Sequence, residues 1–219
     1  MLINVYDKSI IITYNKMLVL LQHFMTEFIS KYAFSNKDYF TKNNLPDFQS
    51  DFIIRKTMTQ KYGICMELNY TFHNILRQNG FDSRLIKCYK LNPKTNEFYD
   101  IYHLAIIVEI SNLKYFVDVG FGEYFVEPVL LLDDDKTGDI NVKYIPESHD
   151  NYSIYDLTTN SVLILRIVDL AVDVQDINKN YCKFFSSEPC DFPLCRILFE
   201  RIYNPLTGTF DVVKPNCKL

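Results

Sequence analysis

Three side chains of the 219-residue sequence have the residue types of a thiol-based nucleophilic site: Cys65, His103 and Asp118. Cys65 follows Gly63 and Ile64 and opens a stretch with Leu68, Phe72, Ile75 and Leu76 at the spacing of one helix face. A thiol at the start of a helix lies near unpaired backbone N–H groups and the positive end of the helix dipole, and both favour the thiolate. Gly63 is expected to let the backbone turn sharply into that helix and leave the sulfur accessible. A lone cysteine is usually a small buried hydrophobe, so the chemical reading depends on partners.

Two apolar segments supply them. His103 stands at the mouth of residues 103–110 (HLAIIVEI), and Asp118 lies within residues 115–119 (YFVDV). Ser111 and Asn112, between the segments, have the length of a two-residue hairpin turn. Such a turn sets Asp118 opposite Ala105, diagonal to His103 and on the same face. Diagonal neighbours are roughly 7 Å apart at Cβ, a gap these side chains can close to a hydrogen bond. A three-residue turn would put them on opposite faces. An aspartate among Val117, Val119 and Phe121 is costly to bury alone. An imidazole partner removes that cost, and the pairing fixes the tautomer that presents the other ring nitrogen to the thiol. The remaining histidines fit less well: His73 is two turns along the Cys65 helix, His23 belongs to an amphipathic helix and His149 to a polar loop.

The elements that must position these groups follow from the apolar pattern. Residues 17–34 show helical spacing through Leu18, Leu21, Phe24, Met25 and Phe28, and Asn44-Leu45-Pro46 breaks it. Asp51 is expected to cap a second helix running through Phe52, Ile53 and Arg55. The third helix, from Cys65, stops at Gly80. Beyond it the period changes to short β-branched or apolar runs at 84–89, 104–110, 115–119 and 162–168, with hairpin tips or loops at 92–96 and 133–139. The expected fold class is α+β: an N-terminal helical bundle over residues 1–84 that carries the cysteine, then a β-barrel or antiparallel sheet over 85–219 that carries the histidine and the aspartate.

Bulk properties narrow the function classes. A net charge of −4 without a Lys/Arg cluster argues against nucleic-acid binding. No run of about eighteen apolar residues exists to span a membrane, and the N-terminus has no signal-peptide pattern. The cysteines at 65, 88, 182, 190, 195 and 217 form no CxxC pair, which suits free thiols in a reducing cytoplasm. Asp133-Asp134-Asp135 lacks a spaced partner and reads as a solvated loop. Cys65 and His103 have no further ligands at zinc spacing, so no metal is expected.

Read together, Lys61-Tyr62-Gly63-Ile64-Cys65-Met66-Glu67-Leu68-Asn69, then His103-Leu104, then Val117-Asp118-Val119-Gly120-Phe121-Gly122 resemble the three signatures of the arylamine N-acetyltransferases: RGGxCxExN, an HL dipeptide opening a strand, and VDVGFG. Gly80-Phe81 and Leu20-Leu21-Gln22-His23 also match, and the resemblance runs from about residue 18 to 130. It implies a papain-like Cys-His-Asp arrangement with Cys65 as nucleophile, His103 as base and Asp118 as orienter. It further implies a ping-pong cycle in which acetyl-CoA, a co-substrate rather than a bound cofactor, acylates Cys65 and an arylamine, hydrazine or related amine takes the acetyl group. Phe121 and Gly122 match positions lining the acceptor pocket and the acyl-donor approach. A monomer is the favoured state.

The sequence departs from the family in three places. Lys61-Tyr62 stands where the family has Arg-Gly. The segment at 185–192 is a loose counterpart of one that helps hold CoA, and its Glu188 and Asp191 would oppose CoA phosphates. The chain stops at Leu219, soon after Gly208, so a shortened C-terminal lid is expected. Two other readings stay open: an idle relative retained as a binding protein, and a thiol hydrolase that uses the same three residues with water as acceptor.

Overall fold

The hairpin that the sequence sets between His103 and Asp118 is present in the computed structural model, which describes residues 5–41, 48–132, 136–137, 140–144, 151–158, 162–185, 193–195 and 197–213. The first helices are α1 (Val5–Lys31), α2 (Lys37–Thr41), α3 (Ser50–Gln60) and α4 (Cys65–Gln78), interleaved with the short strands β1 (Ala33–Ser35) and β2 (Tyr62–Gly63). Then come β3 (Asp82–Tyr89), β4 (His103–Ile110), β5 (Leu113–Val117), β6 (Val129–Leu130), β7 (Lys136–Thr137), β8 (Ile140–Tyr144), β9 (Asn151–Asp156) and β10 (Val162–Ala171). Helix α5 (Val174–Phe184) and the hairpin β11 (Glu200–Asn204) and β12 (Thr209–Val212) complete it. This is an α+β fold, helical first and then a nearly closed, barrel-like sheet.

Eight strands form the large antiparallel sheet in the order β6-β5-β4-β3-β10-β9-β8-β7. Strand β4 is central. Its residues 104–108 are all buried, because α4 packs on one face and the sheet closes over the other. Ser111 and Asn112 take positive φ values of 51° and 66°, the pattern of a type I′ hairpin turn, and pair Ile110 with Leu113 through to Ile106 with Val117. The second strand stops at Val117, two residues earlier than the run to 119 suggested, so Asp118 lies just past its end rather than within it.

Helix α1 buries Leu21, Met25, Phe28 and Ile29 on one face. It ends at Lys31, not at 34 as its period suggested, because Phe34 pairs with Gly63 on one side and Arg201 on the other. A pairing that spans so much of the chain leaves no local signal. Asp51 is not the cap of α3: Gln49 occupies that position, and Asp51 sits in the first turn, where its charge suits the dipole. Helix α4 ends at Gln78, and Gly80, just past the Asn79 cap with a φ of +82°, is the expected stop; the Gly80 and Phe81 N–H groups bond back to Arg77 and Leu76. Asp133–Asp135 and the segment at 186–192, with Glu188 and Asp191, lie outside the described residues.

Candidate active site

Cys65 is the first residue of α4 and is half-buried, and His103 opens β4, directly opposite Cys88 of β3. Asp118 turns off the end of β5 and points back at the imidazole. Its Oδ2 lies 2.5 Å from His103 Nε2. Its Oδ1 accepts hydrogen bonds from Asn69 Nδ2 and from the Gly120 N–H, each at 2.8 Å. The buried carboxylate is thus fully satisfied, which offsets the cost of placing it among valines.

With Nε2 committed to Asp118, the other ring nitrogen is left for the thiol, and Cys65 hydrogen-bonds the imidazole. Burial alone would pull His103 down. Attraction to Asp118 and to Cys65, with hydrogen bonds to both, outweighs it and raises the imidazole from 6.5 to about 10. Cys88, the neighbouring thiol, is pushed up by burial and by Asp118 and Cys65. His73 is far from this chemistry: it contacts Ser83 Oγ at 3.1 Å, and burial lowers it to about 4.

Two glycines bring the pieces together by leaving room. A Cβ on Gly120 would lie 2.7 Å from both Cys65 Cα and Asn69 Nδ2, so only glycine lets the turn after Asp118 rest on the start of α4. Gly63 does not have the positive φ that a forced sharp turn would show. Its role is space: a Cβ there would stand 2.8 Å from Glu67 Oε2.

The sequence reading gave no role to some positioning groups, although Asn69 closes the first signature. Asn69 is the pivot, since its Nδ2 also donates to the Leu104 carbonyl at 2.8 Å and its Oδ1 accepts from the Val119 N–H at 3.0 Å. One side chain therefore ties α4 to both ends of the hairpin. Asn180 of α5 clamps the backbone before His103, donating to the Tyr102 carbonyl at 2.8 Å and accepting its N–H at 3.1 Å. The signal for α5 was present in Asp173, which caps the Asp176 N–H, and in Ile177, Tyr181 and Phe184 on one buried face.

Cys65 and His103 open onto a cavity of about 270 Å³. Its walls are mostly apolar, among them Phe34, Phe121, Phe184 and Phe199, with Lys90 and Glu123 as charged lining groups. The Phe121 ring stands edge-on to His103, centroids 5.3 Å apart. Gly122 is not among the lining residues; its missing side chain faces Phe34 and Arg201, and its φ is +74°. The described residues contain no group of three or more metal-ligating side chains, and no described helix is long and apolar enough to cross a membrane.

Such a site can generate a nucleophilic sulfur and move a proton beside an apolar chamber. Residues 17–166 match the N-acetyltransferase family. An uncharacterized acetyltransferase of Acanthamoeba polyphaga mimivirus is 46% identical over 198 residues, covering 90% of this chain and 93% of that protein. A second one from the same virus is 42% identical over 195 residues, 88% of this chain and 95% of the relative. Among solved structures, a Bacillus cereus arylamine N-acetyltransferase with a Cys-His-Glu catalytic triad superposes with a TM-score of 0.75 at 21% identity, over 89% of this chain and 78% of that one. The Mycobacterium marinum enzyme in complex with CoA gives 0.74 at 15% identity, over 90% and 81%. These likenesses show the shared fold, and the sequence match carries the family. The chain is an acetyltransferase that belongs to the arylamine N-acetyltransferase family.

Proposed function

We propose that the protein transfers an acetyl group from acetyl-CoA to an arylamine, hydrazine or related amine by way of a thioester on Cys65. The observation that carries this reading is His103 held between Cys65 and Asp118 at the wall of an apolar cavity. The Cys65 sulfur attacks the thioester carbonyl, and the N-terminal end of α4 favours the negative charge that develops there. The tetrahedral adduct collapses with loss of the CoA thiolate, which takes the proton held by His103. The amine then attacks acetyl-Cys65, His103 accepts the amine's proton, and Cys65 leaves as its thiolate. Asp118 keeps the ring oriented and stabilises its charged form.

The chamber suits a flat, weakly polar amine. A dry cavity of about 150 Å³ already admits benzene, and this larger one places Phe121 beside the reacting groups. Binding of CoA by the Mycobacterium marinum relative supports the choice of donor. Initial rates measured against both substrates test the cycle. Parallel double-reciprocal lines, with one equivalent of CoA released before amine is added, are expected. Intersecting lines would mean direct transfer without an acyl-enzyme, and steady CoA release without amine would make the protein a thiol hydrolase.

A further inference from the structure

On the turn of α4 that Cys65 opens, a second buried charged cluster is tied to the N–H of the preceding Ile64, and none of the acyl-transfer steps uses it. Glu67, on the first turn of α4, accepts at Oε1 from Lys56 Nζ (2.5 Å) and the Tyr181 hydroxyl (2.8 Å), and at Oε2 from the Ile64 N–H (3.1 Å). Lys56 Nζ also lies 2.7 Å from Asp38 Oδ2, and the Tyr62 hydroxyl donates to Asp38 Oδ1 at 2.8 Å. The side chains of Lys56 and Glu67 are only 6% and 2% exposed. Elements α2, α3, α4, β2 and α5 thus converge on one ammonium. Burial would strip Lys56 of its proton, but Glu67 and Asp38 outweigh it and hold the group charged.

The family's arginine position does not serve this purpose here. Lys61 ends α3 in a left-handed conformation (φ 63°) and directs its Nζ to the Tyr32 hydroxyl at 3.3 Å. We propose that Lys56, reaching in from α3, is a positioning residue that braces the start of α4 through Glu67 and supplies the positive charge that lets Cys65 ionise beside two carboxylates. The proposal rests on Cys65 being the nucleophile.

The electrostatic part follows from counting charges. Asp38, Glu67 and Lys56 together carry a net charge of about −1 at the start of the helix that Cys65 opens. Without Lys56 that becomes about −2, and a nearby anion disfavours a second one. Lys56 pairs with Asp38 and Glu67, which also accept from Tyr62 and Tyr181; Cys65 interacts with His103, Cys88 and Tyr102, with Asp118 behind the imidazole, and shares its cavity wall with Lys90 and Glu123. Lys90 and Glu123 carry opposite charges across the cavity, so the positive charge within the protein wall comes from His103 and Lys56. A brace without an electrostatic role would leave the ionisation of Cys65 unchanged in any variant that folds.

The test is the rate of iodoacetamide alkylation of the Cys65 peptide, read by mass across pH on the full chain. In Lys56→Met the midpoint should rise by about one pH unit, roughly tenfold slower alkylation at a fixed lower pH. Lys56→Arg should stay close to wild type. Lys56→Met with Glu67→Gln, which removes one charge of each sign, should return the midpoint towards wild type. Asp38→Asn should move it the opposite way, downwards, and it decides the matter if Lys56→Met does not fold. A folded Lys56→Met or Asp38→Asn with the wild-type midpoint would overturn the proposal. Failure of the nucleophile reading looks different: wild-type Cys65 would then alkylate no faster than the exposed Cys182.

Discussion

Two aspartates of the barrel are buried to the same degree and do opposite things. Asp118 and Asp169 both have side chains essentially closed to solvent. Asp169 accepts from Arg84 Nε and Nη2 at 3.0 and 2.6 Å and from Lys114 Nζ at 2.5 Å, while Arg84 also reaches Glu109. Its cations are permanent, partly exposed, and away from the cavity. Asp118 is tied instead to one amide, one backbone N–H and one imidazole, and that imidazole faces a thiol at the edge of the apolar cavity. Burial of a carboxylate does not make a reactive site. What distinguishes Asp118 is a partner that titrates and still has a nitrogen to spend on chemistry.

The contrast predicts that the isosteric change has separable effects at the two positions. Asp118→Asn should lower kcat on the order of 10⁴-fold, because the amide cannot favour the imidazolium or its tautomer. Asp169→Asn should leave the rate near wild type and cost about 1–3 kcal/mol of stability in urea unfolding, since Arg84 and Lys114 keep water access. Equal rate losses in both would erase the distinction. A smaller effect is expected at the pivot: Asn69→Ala removes the ties from α4 to Asp118, Leu104 and Val119, and misplacement of the pair should reduce kcat about 10²-fold with the fold retained.

The least dramatic effect concerns pH and stability. His103 is raised from 6.5 to about 10 in the folded chain, so its stabilising contribution is complete below about 6.5 and lost as pH rises through about 10. Thermal melts of wild type and His103→Gln should therefore converge over that window, with wild type falling towards the variant. Parallel melting curves from pH 6 to 10 would mean that the imidazole is not charged in the native state. The Asp169 cluster, built on Arg and Lys, should show no such slope there.

The site was more legible than its supports. The turn at Ser111-Asn112 fixes the hairpin register as far as Ile106 and Val117 and so brings Asp118 to the His103 end, and the apolar face of α4 announces the helix that begins at Cys65. Strands β1, β2, β11 and β12 were not legible, because Phe34 finds Arg201 across most of the chain and neither stretch alternates long enough to mark a strand. Strands β8 and β9 were not among the expected runs, because buried polar residues such as Asn141 and Ser153 interrupt their apolar pattern. Asn69 closes the first signature, but its type and spacing do not reveal which atoms it ties together, and Lys56 carries no signal at all; both gain their roles from what three-dimensional packing sets beside them.

The most direct test of the account is the intact mass of the protein after brief exposure to acetyl-CoA, with Cys65→Ala treated alongside. One acetyl group on wild type alone, discharged when an arylamine is added, is the predicted result. An unmodified wild type, or an adduct that persists in Cys65→Ala, would contradict it.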